Sequence, residues 1–463
     1  MKKYILYLIG ITYLFALTSC NEWLKVMPEG QVPAEDMFVS EQGFKDALSG
    51  VYIAMKSDKT YGKQLSMTTI EHLVSSWDVE EATTPEYLGK FNYGDASVER
   101  TIEDIFQQQY FTISEINAIL TELNGNQNIF NTDGLYEQIK GECLGLRAYI
   151  HFDILRMFGP VPGTENGDNI LPYVTTLSKE NHPYSSYAEF KTAFESDINA
   201  ADTLLAKAEQ FGNYQYMKPL RMNAEAIKAL KARAALWFGE TDIAYELASN
   251  IISNTSKTLG IATNFSGGDY NLVGEQFFGI HNYNMYNLYS STFKDQTLKK
   301  GVNSLLVNTQ LYGNTGTDTR ETMLWETNVT DNGSVAYSII KYKVAEKEPT
   351  SIGSDYRRVP MIRLSEMYFI AIETSTDLAT SQLYWDDFRA SRNLPPLPLA
   401  DDKELIRNEL AKEYRKEFFA EGQAFYAYKR MNVNKDNFLW LPPEVEEIKY
   451  VVPVPISEPY ANN

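Results

Sequence analysis

The chain has 463 residues, 44% hydrophobic and 13% aromatic, enough apolar surface to bury a large core and to exclude a disordered chain. Its formal net charge is −19, or −21 without Lys2 and Lys3 of the leader described below. With no basic cluster to release counterions from a phosphate backbone, nucleic acid is not an expected partner, and the acidity reads as solubility.

Lys2 and Lys3 precede an apolar run from Ile5 to Leu17 and small residues ahead of Cys20, the layout of an export signal. The run falls short of the ~20 apolar residues that span a bilayer as a helix. "LTSC", residues 17–20, resembles the lipobox of bacterial lipoproteins; the alternative is an ordinary cleaved signal with an incidental cysteine. We expect a signal peptide over 1–19 and lipidation at Cys20, whose acyl chains, at about 0.8 kcal/mol per buried methylene, would hold the domain on a membrane. Cys143 then has no partner for an intramolecular disulfide, and it sits at helical spacing with Ile139, Leu146, Ile150 and Ile154, as a small buried thiol does.

No Ser/Gly or Pro-rich linker and no charge block divides residues 20–463, so we expect one large domain, or two that interlock. Helical periodicity predicts helices over 41–55, 98–123, 135–157, 186–208, 223–238, 241–252, 363–374, 384–392 and 403–419. The fold class is mainly α. In 223–238 Ala229, Ala232 and Ala235 keep one face thin, and a second helix follows after a short turn. That pattern fits either a tetratricopeptide-like pair or an ordinary helical hairpin.

Two polar stretches, 56–96 and 255–358, are rich in Gly, Asn, Thr and Tyr and too long to be mere connectors. In "GIHNYNMYNLYSSTF" Tyr283, Tyr286 and Tyr289 recur every three residues among Asn282, Asn284 and Asn287. The other stretch offers Trp77, Tyr87 and Tyr93 with Asp78, Asn92 and Asp95. Flat aromatic faces and amides together suit the C–H faces and hydroxyls of sugars. The same tyrosines could equally pack on the frame or meet a protein partner. We take Trp77, Tyr87, Tyr93, Asn282, Tyr283, Tyr286 and Tyr289 as candidate ligand-binding residues.

Catalytic patterns are wanting. His72, His151, His182 and His281 stand near no cysteine, serine elbow or acidic helix motif that would build a triad or a metal site. His151 reads as a hydrogen-bonded packing histidine. Arg147, Arg156, Arg415 and Glu421 read as structural charges that fix helices, and Gly422 as a helix-ending glycine.

Six segments in order carry a resemblance to the SusD/RagB family of Bacteroidetes outer-membrane lipoproteins. They are "CNEWLKVMPEGQVPAEDMFVSEQGFKDALSGVY" from Cys20, "LGLRAYIHFDILRMFGPVP" at 144–162, "VPMIRLSEMYFIAIET" at 359–374, "FRASRNLP" at 388–395, "LAKEYRKEFFAEGQAFYAYKRMN" at 410–432, and the terminal "YVVPVPISEPYANN". "IAIET" departs from the family's alanine-glutamate-alanine pattern, and the stretch from Glu373 to Tyr384 is short. The resemblance implies a helical frame of tetratricopeptide-like pairs with irregular ligand-binding loops, in an N-terminal part of about 20–210 and a C-terminal part of about 211–463. It further implies glycan capture at the cell surface and delivery to a SusC-like TonB-dependent transporter, with no catalysis, cofactor or metal. The alternative within the family is a peptide-binding or purely structural lid on such a transporter.

Overall fold

Ser40 caps the first helix, α1 (Glu41–Met55), its side chain accepting from the Gly43 amide, while Phe44, Leu48, Val51 and Met55 recur on one face and are buried. A computed structural model supplies these coordinates and describes residues 37–178, 181–213, 215–329, 333–347, 349 and 355–457. The leader and Cys20 therefore lie outside the described residues.

Asp95 opens α2 (Ala96–Gly125) by accepting from the Ser97 amide, and a capping box of Ser186 and Glu189 opens α4 (Tyr187–Ala208). Between them α3 (Leu135–Phe158) is buried almost all round. A Cβ at Gly141 would come within 2.8 Å of Leu205, and one at Gly145 within 2.6 Å of Ile227. These two glycines thus let α4 and the next helix, α5 (Ala224–Trp237), close on α3. Helix α6 (Thr241–Asn254) doubles back on α5 through a turn in which Gly239 takes a φ of +76°. The alanine-rich face of α5 is buried as the sequence required.

Helix α7 (Leu364–Thr374) packs on α6, α8 (Leu378–Ser391) packs on α7, and α9 (Lys403–Glu417) lies beside α10 (Gln423–Met431). Neighbours in sequence are mostly neighbours in space, the economy of helix-pair repeats. Helix α8 begins six residues before the periodicity over 384–392 indicated, because Asp377 accepts from the Thr380 amide and caps a start at Leu378. Gly422, expected to end a helix, instead precedes α10 with a φ of +74°.

Between the helices lie strands that helical periodicity could not reveal, β3, β4 and β5 of them within the polar stretch 255–358. β1 (Asn169–Leu171) pairs with β2 (Ser185–Ser186), β3 (Gln276–His281) with β6 (Arg358–Arg363), and β4 (Trp325–Val329) with β5 (Val335–Ile339), all antiparallel. One apolar cluster runs from Phe44 to Val452 and draws on both halves of the sequence. A smaller one joins Phe369, Trp385, Phe388 and Phe418.

The structural charges sit where the sequence placed them. Arg147 grips Asp197 through Nε and Nη2, each at 2.7 Å, and Arg156 pairs with Asp153. The His151 Nδ1–H donates to the Arg147 carbonyl at 2.9 Å while Nε2 accepts from the Val174 amide. Burial pushes that imidazole down to about 3, so it stays neutral. Cys143 is free and buried, and burial raises its thiol pKa far above the ordinary range. It has no nucleophilic character.

Candidate ligand-binding cavity

The last turn of α1 forms one wall of a surface cavity of about 580 Å³, through Tyr52, Ile53 and Lys56. Met217, Leu220 and Arg221, just before α5, form a second wall, and Ile280 and His281 at the end of β3, with Tyr283 and Asp355, form a third. These segments meet because Glu142, fully buried in α3, accepts from all of the first two. The Tyr52 hydroxyl donates to it at 2.6 Å and Arg221 Nε at 2.9 Å. Burial first, and then the Glu142 carboxylate, push the Tyr52 phenol far above its ordinary range, so it remains a donor. On the opposite wall His281 Nε2 lies 2.8 Å from Asp355 Oδ2, while Asp355 Oδ1 accepts from the Arg357 amide.

Tyr283 stands at the rim with 67% of its surface exposed, and the Lys56 ammonium lies 4.1 Å from its ring centroid. Burial lowers the Lys56 pKa from its ordinary value. Ile53, 64% exposed, continues the apolar rim. Taken together, the cavity offers an aromatic ring, aliphatic contact and hydrogen-bond donors.

Of the seven residues singled out by composition, Tyr283 alone lines this cavity. Trp77 is 2% exposed, edge-on to Phe293 and Phe419, with Nε1 donating to the Met67 carbonyl at 2.8 Å. A ring enclosed in this way has no face to offer a sugar. Tyr93 is buried and donates to the Lys449 carbonyl, and Tyr87 is half-buried against the main core. Tyr289 is buried, stacked on Phe293 and bonded to Glu326, and Tyr286 is half-buried. The spacing of three places Tyr286 and Tyr289 along a short helix over Met285–Tyr289, of which one side faces the core.

The asparagines build turns. Asn282 is buried, its amide N–H bonded to the Arg357 carbonyl and its side chain accepting from the Asn284 amide. Asn287 donates to the Asn284 side chain at 2.6 Å. In the other stretch Asp78 accepts from the Gly301 amide at 2.6 Å and so pins the two polar regions together. Asp95 is consumed as the cap of α2.

Sequence reasoning missed Tyr52, Lys56, Arg221, His281 and Asp355 as a group. Apart from Tyr52 and Lys56, which share the end of α1, they sit in different segments, and only the "GVY" near the end of α1 was visible as a motif. A larger groove of about 810 Å³ runs along α9 beside Leu397, Leu405 and Arg415. None of the seven candidate residues lines it, and no exposed aromatic ring stands at it, so the smaller cavity is the better candidate. Among the described residues no cluster of three or more His, Cys, Asp or Glu could hold a metal ion, and no helix is long and apolar enough to cross a membrane.

A frame of helix pairs with a shallow aromatic-rimmed cavity is the architecture of a binding scaffold. Residues 22–236 match the family model described as "Starch-binding associating with outer membrane", and residues 279–451 match that of the SusD family. The chain belongs to the SusD/RagB family. It is 23% identical over 264 residues to SusD-like protein P2 of Formosa agariphila, a match covering 56% of this chain and 47% of that relative, so the shared stretch is under half of that protein's length. The fold is shared with a SusD superfamily protein of Bacteroides thetaiotaomicron, at a TM-score of 0.70 and 20% identity over 91% of this chain and 97% of that one. A SusD-like carbohydrate binding protein of Bacteroides vulgatus superposes with a TM-score of 0.65 at 16% identity, over 84% and 83%.

Proposed function

We propose that this chain is a non-catalytic glycan-binding lipoprotein of the outer membrane. It is anchored through Cys20, exposed at the cell surface, and passes oligo- or polysaccharide to a SusC-like TonB-dependent transporter. The observation that carries the glycan reading is Tyr283, an aromatic ring two-thirds exposed at the rim of a preformed cavity. A protein gains nothing in stability from such a ring in water, whereas a pyranose face stacked on it is removed from water. The family's outer-membrane association and the carbohydrate-binding description of a structural neighbour support the same reading. The domain is proposed to act as a single body over 20–463.

Affinity electrophoresis of the full-length protein in detergent against a polysaccharide panel tests this. Retardation by at least one glycan is expected, and its loss in Tyr283→Ala with the fold intact. Failure to bind any glycan, with capture of cationic peptides instead, would replace glycan by peptide as the ligand. Co-purification with a TonB-dependent transporter from membranes tests the partner, and labelling with palmitate, lost in Cys20→Ala, tests the anchor.

A further inference from the structure

The cavity's polar groups are unequally occupied. Ser49 donates to the Lys45 carbonyl, and the Tyr52 hydroxyl both donates to Glu142 and accepts from the Met222 amide. Arg221 is committed to Glu142. Each oxygen of Asp355, the single carboxylate among the described lining residues, already has a partner, His281 on one and the Arg357 amide on the other. Lys56 is different: its ammonium has no carboxylate partner among the described residues and rests only on the face of Tyr283.

Lys56 is the C-cap of α1, where the helix dipole favours a cation. That accounts for a basic residue at the position. It does not account for an ammonium held against the one exposed ring of the cavity, with three donor protons and no acceptor. A neutral sugar needs acceptors as well as donors for its hydroxyls, and among the described lining residues the one carboxylate already accepts at both oxygens. An acceptor-rich ligand suits the lining better.

Resting on the glycan reading above, we infer that the glycan carries an anionic group, a carboxylate or a sulfate ester, which seats against the Lys56 ammonium beside the open face of Tyr283. The acidic chain repels a polyanion at long range, so recognition rests on this contact within the cavity. A charge-assisted hydrogen bond of ordinary strength corresponds to about tenfold or more in affinity.

The test is calorimetry of the full-length protein in detergent at fixed ionic strength with matched pairs: polygalacturonate against highly methyl-esterified pectin, and dextran sulfate against dextran, with starch as a further neutral probe. Binding to an anionic member at least about tenfold tighter than to its neutral counterpart is expected, with a loss of about tenfold in Lys56→Met, retention in Lys56→Arg, and abolition in Tyr283→Ala. The first pair reports a uronate and the second a sulfate ester. Neutral polymers bound as tightly as charged ones, with Lys56→Met unchanged and Tyr283→Ala inactive, would overturn this inference and leave the glycan reading standing. Anionic binding that survives Lys56→Met would overturn it too. No binding to any of the five would overturn this inference, and no retardation by any member of the polysaccharide panel besides would remove the glycan reading with it.

Discussion

Arg363 Nη1 meets Glu417 Oε1 at 2.9 Å, and both side chains are 2% exposed. Glu417 also receives Arg392 and Arg320, and Arg363 reaches on to Glu275 and Glu421. Lys341 closes the cluster on Glu421 at 2.6 Å. The "EFFAEG" acids, which could pass for a catalytic cluster, are thus fully employed in joining β6, α8, α9 and the segment before β3.

Removing one member strands its partners in the core. Glu417→Gln is expected to cost about 3–5 kcal/mol, as breaking a buried ion pair usually does. Urea denaturation of the variant against the parent measures it; a change below about 1 kcal/mol would mean that the network is solvated.

Acid should dismantle the same region. Burial alone would push the Glu413 carboxyl up, but Lys416 and Arg320 outweigh it and hold it down at about 2, against an ordinary 4.5. Arg392, Arg363 and Arg320 likewise outweigh burial at Glu417 and hold it well below 4.5. Because the folded state resists protonation, their stabilisation is present above pH 4.5 and is lost as the pH falls from there through about 2. Denaturant midpoints should therefore be lower at pH 3 than at pH 4.5, most steeply in the parent and less so in Glu413→Gln.

Trp77 and Tyr283 should separate stability from binding. Trp77→Ala empties a core site and is expected to cost about 3–5 kcal/mol, while Trp77→Phe, if folded, keeps full glycan affinity. A binding defect in folded Trp77→Phe would return this residue to the ligand site.

Tyr283→Ala is expected to shift stability by no more than about 0.5 kcal/mol, because the ring is mostly in water. Thermal melts run beside the binding assay decide this.

Gly422 sits at a φ of +74°, and a Cβ there would lie 2.2 Å from the Leu65 carbonyl oxygen. Its amide donates to Glu71 at 2.9 Å. Gly422→Ala adds a left-handed penalty of about 1–2 kcal/mol to that clash, so a loss above about 2 kcal/mol is expected in urea denaturation.

Local periodicity carried most of the helical frame, since α1 spans the predicted 41–55 and α5 and α6 fall within a residue or two of expectation. The start of α8, the whole of α10 and the six strands escaped it. A cap such as Asp377 is one residue among many similar ones, and strands of two to six residues gain their meaning from pairing partners as far away as Gln276 and Arg363. The candidate site was legible only at Tyr283. Composition marked aromatic residues without distinguishing Trp77, which packs on Phe293 and Phe419, from a ring left in solvent.

By itself the sequence determined the mainly α frame, the family, the acidic character and the structural roles of Arg147, Arg156, His151 and Cys143, because periodicity, charge and motif order are local properties of the chain. Which aromatic faces water, and that Lys56, Tyr52, Arg221, His281 and Asp355 share one cavity, was decided by tertiary structure alone. Burial and hydrogen-bond occupancy are relations between segments as distant in sequence as Tyr93 and Lys449, and in the cavity they are set when Glu142 draws Tyr52 and Arg221 together and β3 pairs with β6.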